Sequence, residues 1–209
     1  MVATKNLMDS IRQRLKTEAL VRVPASLDEY FALATERDLT IEYENDEIIA
    51  MSLATPTHEQ LVGNFGHILN NLFLDNDDVL VYGSNIGIAL PDSKKYYNAD
   101  VSAVRGFPKM VGRTTTIITN PFLVVEVLSS STMERDLSEK LITYKRIESL
   151  QQAIFISQEN PWVSSYTRTN DPKTWLQTDG ILLEDSIKIE NFTVSLRDIY
   201  RKVVLGRAS

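Results

Sequence analysis

The chain has 209 residues, and its 22 basic against 28 acidic side chains leave a formal charge of −6, with 43% hydrophobic residues. That balance suits one globular domain with a sizeable core and counts against a sequence-independent nucleic-acid coat protein, which needs an excess of Lys and Arg on some face to neutralise phosphate. The lack of cysteine removes disulfides, thiolate metal sites and cysteine nucleophiles. With no apolar run near the ~18 residues that span a bilayer and no signal-like apolar stretch at the start, the expectation is a cytoplasmic protein.

Residues 1–25 are expected as an N-terminal helical tail, polar and mixed in charge as far as Lys16. Ser26 with Glu29 forms a capping box that opens a short helix to about Ala34. Leu39 to Glu44 and Glu47 to Ser52 alternate as two strands of a hairpin turned at Asn45-Asp46. Thr57 with Gln60 predicts a second capping box. Leu61, Phe65, Leu69, Leu72 and Phe73 then give one apolar stripe along the helix that follows. Short strands are expected at Val79 to Tyr82, Asn85 to Leu90 and Asn98 to Val104, then a polar, basic loop from Arg105 to about Thr116. Phe122 to Leu128 is so apolar that both its faces must be covered. A helix from Asp136 to about Glu148 and a buried strand at Ala153 to Ile156 follow. A β-rich extension takes Val163 to Arg168, Trp175 to Gln177, Ile181 to Leu183 and Phe192 to Leu196, closed by a helix from Arg197 to about Leu205. The order hairpin, helix, strands, helix, strand is that of an α/β domain with a mixed sheet flanked by helices.

Four residues stand out chemically. Glu126 is the only charge in a strand that otherwise reads as fully buried, where an ionised carboxylate costs several kcal/mol unless a cation or a hydrogen-bond set compensates it. It serves either a structural salt bridge or a functional site. Asp100 interrupts a stretch of small and β-branched residues that disfavours Asp. Acids on adjacent strands give a hard divalent cation its oxygen ligands, with waters and a main-chain carbonyl, that of Val127, completing the shell. Lys140 falls inside the buried arc defined by Leu137, Leu141, Tyr144 and Ile147. Its partner is either Asp136 one turn away, or the pair Asp100 and Glu126, where an ammonium steadies phosphate charge. His58 begins a helix, a position that favours anions. It is read either as a phosphate contact and proton carrier or as a surface cap residue. Lys94, Lys95, Arg105, Lys109 and Arg113 bracket Asp100 as a possible basic strip, and Tyr96, Tyr97 and Phe107 lie among them. No phosphate-binding loop, H-E-x-x-H, G-x-S-x-G or dinucleotide fingerprint is present.

In order, the hairpin with Met51-Ser52, His58 heading a helix, Ala99-Asp100-Val101, Val124 to Ser129, Asp136 with Lys140 and Tyr144, and Ser149-Leu150-Gln151 resemble the Uma family of restriction endonucleases, a branch of the PD-(D/E)XK superfamily. The resemblance spans about Ser26 to Val204 and implies a restriction-endonuclease-like domain over residues 26–204. It implies Mg²⁺ or Mn²⁺ held by Asp100 and Glu126, and a lysine moved from the strand to the following helix. DNA is the implied partner, with RNA or single strands as a further possibility, and a homodimer the implied assembly. Ala99 stands where the family superfold has Pro, and Leu128 where the strand lysine would be. The alternative to a metal-dependent endonuclease is a catalytically degenerate member acting as a nucleic-acid or protein interaction module.

Overall fold

The computed structural model describes residues 2–34, 40–91, 94–112, 114–130 and 132–205. Leu39 and Arg113 therefore lie outside the described residues. Helix α1 (Val2–Arg14) buries Met8 and Ile11 against strand β1 (Leu20–Pro24) and helix α2 (Leu27–Leu33). The stretch expected as a tail, residues 1–25, is thus helical in its first half and then supplies a sheet strand. The Ser26 capping box forms, with Ser26 Oγ accepting the Glu29 N–H and the Glu29 carboxylate accepting the Ser26 N–H. Strands β2 (Ile41–Glu44) and β3 (Glu47–Met51) pair antiparallel. Their turn residues Asn45 and Asp46 both take positive φ, 54° and 58°, as a tight hairpin with right-handed strand twist requires.

Helix α3 (Pro56–Leu72) corrects the second capping box: the cap is Thr55, whose Oγ1 accepts the His58 N–H, not Thr57. Pro56 is the reason, since its fixed φ and missing N–H suit the first helical position and start the helix there. Strands β4 (Val79–Gly83), β5 (Gly87–Ala89), β6 (Tyr96–Tyr97), β7 (Val101–Arg105), β8 (Ile117–Ile118) and β9 (Pro121–Leu128) follow. The expected helix after β9 is displaced: α4 (Met133–Arg135) runs into a π-helical turn (Asp136–Lys140) and then α5 (Leu141–Tyr144). It ends early because the Arg168 guanidinium gathers the carbonyls of Lys145, Ile147 and Leu150 and holds that stretch in turns.

Strands β10 (Gln152–Ser157), β11 (Val163–Arg168) and β12 (Trp175–Gly180) precede a hairpin of β13 (Ser186–Ile189) and β14 (Phe192–Ser195). The strand expected at Ile181 to Leu183 is instead a turn, because the Asp185 carboxylate accepts the N–H groups of Ile181 and Leu182. The closing helix, α6 (Leu196–Ile199), is shorter than expected, with Lys202 at φ 61° just beyond it.

Most strands divide between two six-stranded sheets, ordered β1-β3-β2-β6-β5-β8 and β12-β11-β10-β9-β7-β4. Within the second, β9 and β10 are parallel and central. Leu123, Val125 and Val127 of β9 pack with Leu61, Phe65 and Leu69 of α3, while Val124 and Leu128 pack on the other face with Tyr144, Ala153 and Phe155. The two-residue alternation therefore aims Glu126 at the second face, between Val124 and Leu128. Among the described residues, no helix is long and apolar enough to cross a membrane.

Candidate active site

The chain leaves the first sheet at β6 and enters the second at β7, so Asn98 to Asp100 form the crossing between them. Pairing of β7 with β9 begins at Val101 and Val125. Just beyond that point the Val127 N–H donates to Asp100 Oδ2 at 2.7 Å, which fixes the carboxylate beside Glu126. His58, in the first turn of α3, brings Nε2 to 3.3 Å from the same Asp100 oxygen and Nδ1 to 3.6 Å from Glu59. Burial works against a charge on His58, but Asp100, aided by Glu59, outweighs it and raises the imidazole pKa above 6.5. Stability from this pair is complete below that unfolded-state value and is lost as pH rises through the higher folded-state one. Metal-free wild type is therefore expected to lose stability relative to His58→Gln as pH rises from the unfolded-state value of 6.5 through the higher folded-state one. Urea unfolding of both proteins checks this; a pH-independent difference would contradict it.

Glu126 is 4% exposed and its Oε1 accepts from Tyr144 OH at 2.7 Å and from Lys140 Nζ at 3.0 Å. Lys140 Nζ also lies 2.8 Å from Glu42 Oε1 and 3.4 Å from Asp136 Oδ1. Both partners foreseen for Lys140 on its own helix and on β9 are thus present, joined by a third from β2. Glu42 is in turn held by the Asn98 N–H at 3.1 Å and by Arg135 Nη1 at 2.6 Å. Glu44, the next acid on that face of β2, meets Lys95 and Arg135.

The protonation pattern follows from this crowding. Burial, opposed by Lys140 and reinforced by Asp136, Asp100 and Glu42, pushes the Glu126 carboxyl up to about 8. Burial likewise opposes charge on Glu42, but Lys140, Arg135 and the Asn98 N–H prevail and hold it below the ordinary carboxylate value. Lys140 stays charged, because Glu126, Glu42 and Asp136 overcome its desolvation. Tyr144, raised by burial and by Glu126, remains a neutral donor. The excess proton of the cluster thus resides on Glu126, where a cation would replace it.

The oxygen-only donor set of Asp100 and Glu126 suits Mg²⁺ or Mn²⁺. Contacts among the described residues engage Asp100 Oδ2 and Glu126 Oε1, which leaves the second oxygen of each for a cation. No three His, Asp or Glu side chains among the described residues form a closed metal cage. An open site with few protein ligands is what Mg²⁺, which keeps much of its water, accepts.

Other expectations disperse. Lys95 is tied to Glu44, whereas Arg105 pairs with Glu190 and covers the Phe122 ring at the opposite end of β9. Arg105 and Lys109 line an open groove of about 600 Å³ there with Phe107, which is 91% exposed. Lys95, Arg105 and Lys109 thus form no continuous strip around Asp100. Tyr96 and Tyr97 are buried, Tyr96 stacking on Tyr30 at 5.3 Å, so neither offers a face to a base.

Two mixed sheets, a buried central pair β9–β10 and flanking helices make up a restriction-endonuclease-like α/β fold. A crystal structure described as that of a putative nuclease belonging to DUF820 from Anabaena variabilis superposes with a TM-score of 0.69 at 16% identity, covering 87% of this chain and 100% of that one. The chain belongs to the Uma2 family, described as "Putative restriction endonuclease", whose profile matches residues 27–197. It is similar to two uncharacterized proteins of Synechocystis. One, sll1609, is 29% identical over 75% of this chain and 85% of its own length. The other, slr1290, is 30% identical over 72% and 77%. Family and fold point to a nuclease of the restriction-endonuclease-like class.

Proposed function

We propose that the protein is a Mg²⁺- or Mn²⁺-dependent endonuclease that hydrolyses phosphodiester bonds of DNA. The observation that carries this reading is the junction of Asp100, Glu126 and Lys140. Asp100, at the end of the crossing into β7, accepts the N–H of Val127, the residue after Glu126 in β9, and a buried ammonium lies 3.0 Å from Glu126. Asp100 and Glu126, with the Val127 carbonyl, would hold the cation. When bound, it supplies Lewis acidity toward a phosphate oxygen. Lys140 stabilises negative charge developing on the phosphate, in a buried setting where a charge acts more strongly than in water. His58, oriented by Asp100 at the N-terminal end of α3, binds the phosphate anion and carries a proton at Nε2. Tyr144 holds the Glu126 carboxylate in place through its 2.7 Å hydrogen bond.

Calorimetric titration of Mn²⁺ into wild type, followed by incubation with supercoiled and single-stranded DNA, tests the proposal. Saturable binding, a melting temperature that rises with Mn²⁺, and nicking that EDTA abolishes are the expected results. No Mn²⁺ binding would overturn it. A second reading, a non-catalytic nucleic-acid or protein interaction module, is favoured by Leu128, which fills the strand-lysine position and is wholly buried among apolar side chains. DNA retention without metal binding or cleavage would establish that reading.

A further inference from the structure

We propose that Glu42, from the first sheet, is the positioning residue that holds the Lys140 ammonium at the site. The inference rests on the reading of Lys140 as the group that stabilises phosphate charge. Three carboxylates surround Lys140 Nζ, and they are not equivalent. Glu126, at 3.0 Å, is the acid whose other oxygen would serve a cation, so its charge would be shared. Asp136, at 3.4 Å, lies one turn back on the same helical segment and cannot fix Lys140 relative to either sheet. Glu42, at 2.8 Å, is the nearest and the most firmly held of the three. The Asn98 N–H binds its Oε1 at 3.1 Å and Arg135 clamps its Oε2 at 2.6 Å, and the residue is fully buried.

The placement follows from topology. Glu42 projects from β2, whose neighbour β6 leads through Asn98 into Asp100. The backbone stretch that carries Asp100 therefore also anchors the carboxylate that anchors Lys140. The π-helical turn brings Arg135, Asp136 and Lys140 to this one spot, where Tyr97 lies 5.3 Å from Arg135 and 5.6 Å from Lys140. When Glu126 shares its charge with a cation, Glu42 keeps the ammonium from withdrawing. A displacement of about 1 Å at a charge-stabilising group costs on the order of 10²-fold in rate.

The test compares Glu42→Gln, Glu42→Asp and Glu44→Gln in the full chain. Glu44→Gln removes a buried charge from the same strand face without touching Lys140, so it reports the merely structural cost. In Glu42→Gln, the cleavage kcat is expected to fall roughly 100-fold with KM for DNA and Mn²⁺ affinity nearly unchanged. Glu42→Asp, which keeps the charge on a shorter stem, is expected to recover about tenfold of that loss. Glu44→Gln lowers the melting temperature but leaves kcat within about twofold of wild type. A readout independent of cleavage is acetylation of Lys140 by acetic anhydride, mapped by mass spectrometry. Glu42→Gln is expected to raise its rate about tenfold over wild type, and Glu44→Gln is not. Equal effects of Glu42→Gln and Glu44→Gln on kcat and on acetylation would overturn the proposal. If wild type proves inert toward DNA, the nuclease reading fails while acetylation still decides whether Glu42 positions Lys140.

Discussion

Asp100→Asn is expected to abolish Mn²⁺ binding and to lower metal-dependent cleavage by roughly 10³-fold, the equivalent of several kcal/mol of lost Lewis-acid stabilisation. The substitution is chosen for what it leaves intact. The asparagine carbonyl can still accept the Val127 N–H now bonded to Asp100 at 2.7 Å, so the crossing from β6 to β7 keeps its anchor. What disappears is one of two charged oxygen donors. The metal-free fold should tolerate the change or gain from it, because the Asp100 charge is among those that push the Glu126 carboxyl up to about 8. With one like charge fewer, Glu126 ionises at a lower pH. At a pH high enough that His58 is neutral and its pair with Asp100 no longer contributes, the variant should therefore melt in EDTA at or above the wild-type temperature, and Mn²⁺ should no longer raise it. Calorimetry, melting curves with and without Mn²⁺, and nicking of supercoiled DNA measure the three effects. Undiminished metal protection in Asp100→Asn would remove this residue from the site.

The sequence made one half of the site legible. Glu126 betrays itself because it interrupts an unbroken apolar strand, and Lys140 because helical periodicity turns it inward between Tyr144 and Ile147; the structure buries both, at 4% and 2% exposure. The other half stayed hidden. Glu42 and Glu44 alternate with Ile41 and Tyr43, the pattern of a strand with one wet face, and nothing local says that this face is covered. It is covered by the segment of Arg135 to Lys140, nearly a hundred residues further along, and by Tyr97. A hint was available in the Arg135-Asp136 pair, since charges bunched at the start of a helix whose lysine points inward need partners elsewhere. The helix itself was misplaced for a related reason. Periodicity at 3.6 residues per turn does not register a π-helical turn, nor the hold of Arg168 on the carbonyls that follow. The strip of cations around Asp100 failed differently: neighbours in sequence on a loop can end at opposite ends of a strand, as Arg105 does.

Lys140→Met is expected to destabilise the metal-free protein by about 3–5 kcal/mol above about pH 8, where the wild-type Glu126 carboxyl is ionised, a penalty that shrinks as pH falls. Met conserves most of the volume, so the cost is electrostatic. Glu42 retains Arg135 and the Asn98 N–H, but Glu126 and Asp136 lose Lys140, which contacts both. A buried carboxylate deprived of its partner takes up a proton instead of staying charged. The Glu126 carboxyl, already raised from 4.5 to about 8 with Lys140 opposing the shift, must rise further without it. A carboxyl raised in the folded state favours folding most below its unfolded-state value, and that contribution is lost as pH climbs through the folded-state one. In wild type this loss ends near pH 8; in the variant it continues above. The stability gap between the two should accordingly be small near pH 5 and greatest above about pH 8. Urea unfolding at these two pH values measures it, and a gap independent of pH would show that Lys140 acts through packing alone. Adding Glu126→Gln to the variant should restore part of the loss above about pH 8, since it removes the carboxyl that must otherwise hold a proton there while keeping an oxygen for the Tyr144 hydroxyl.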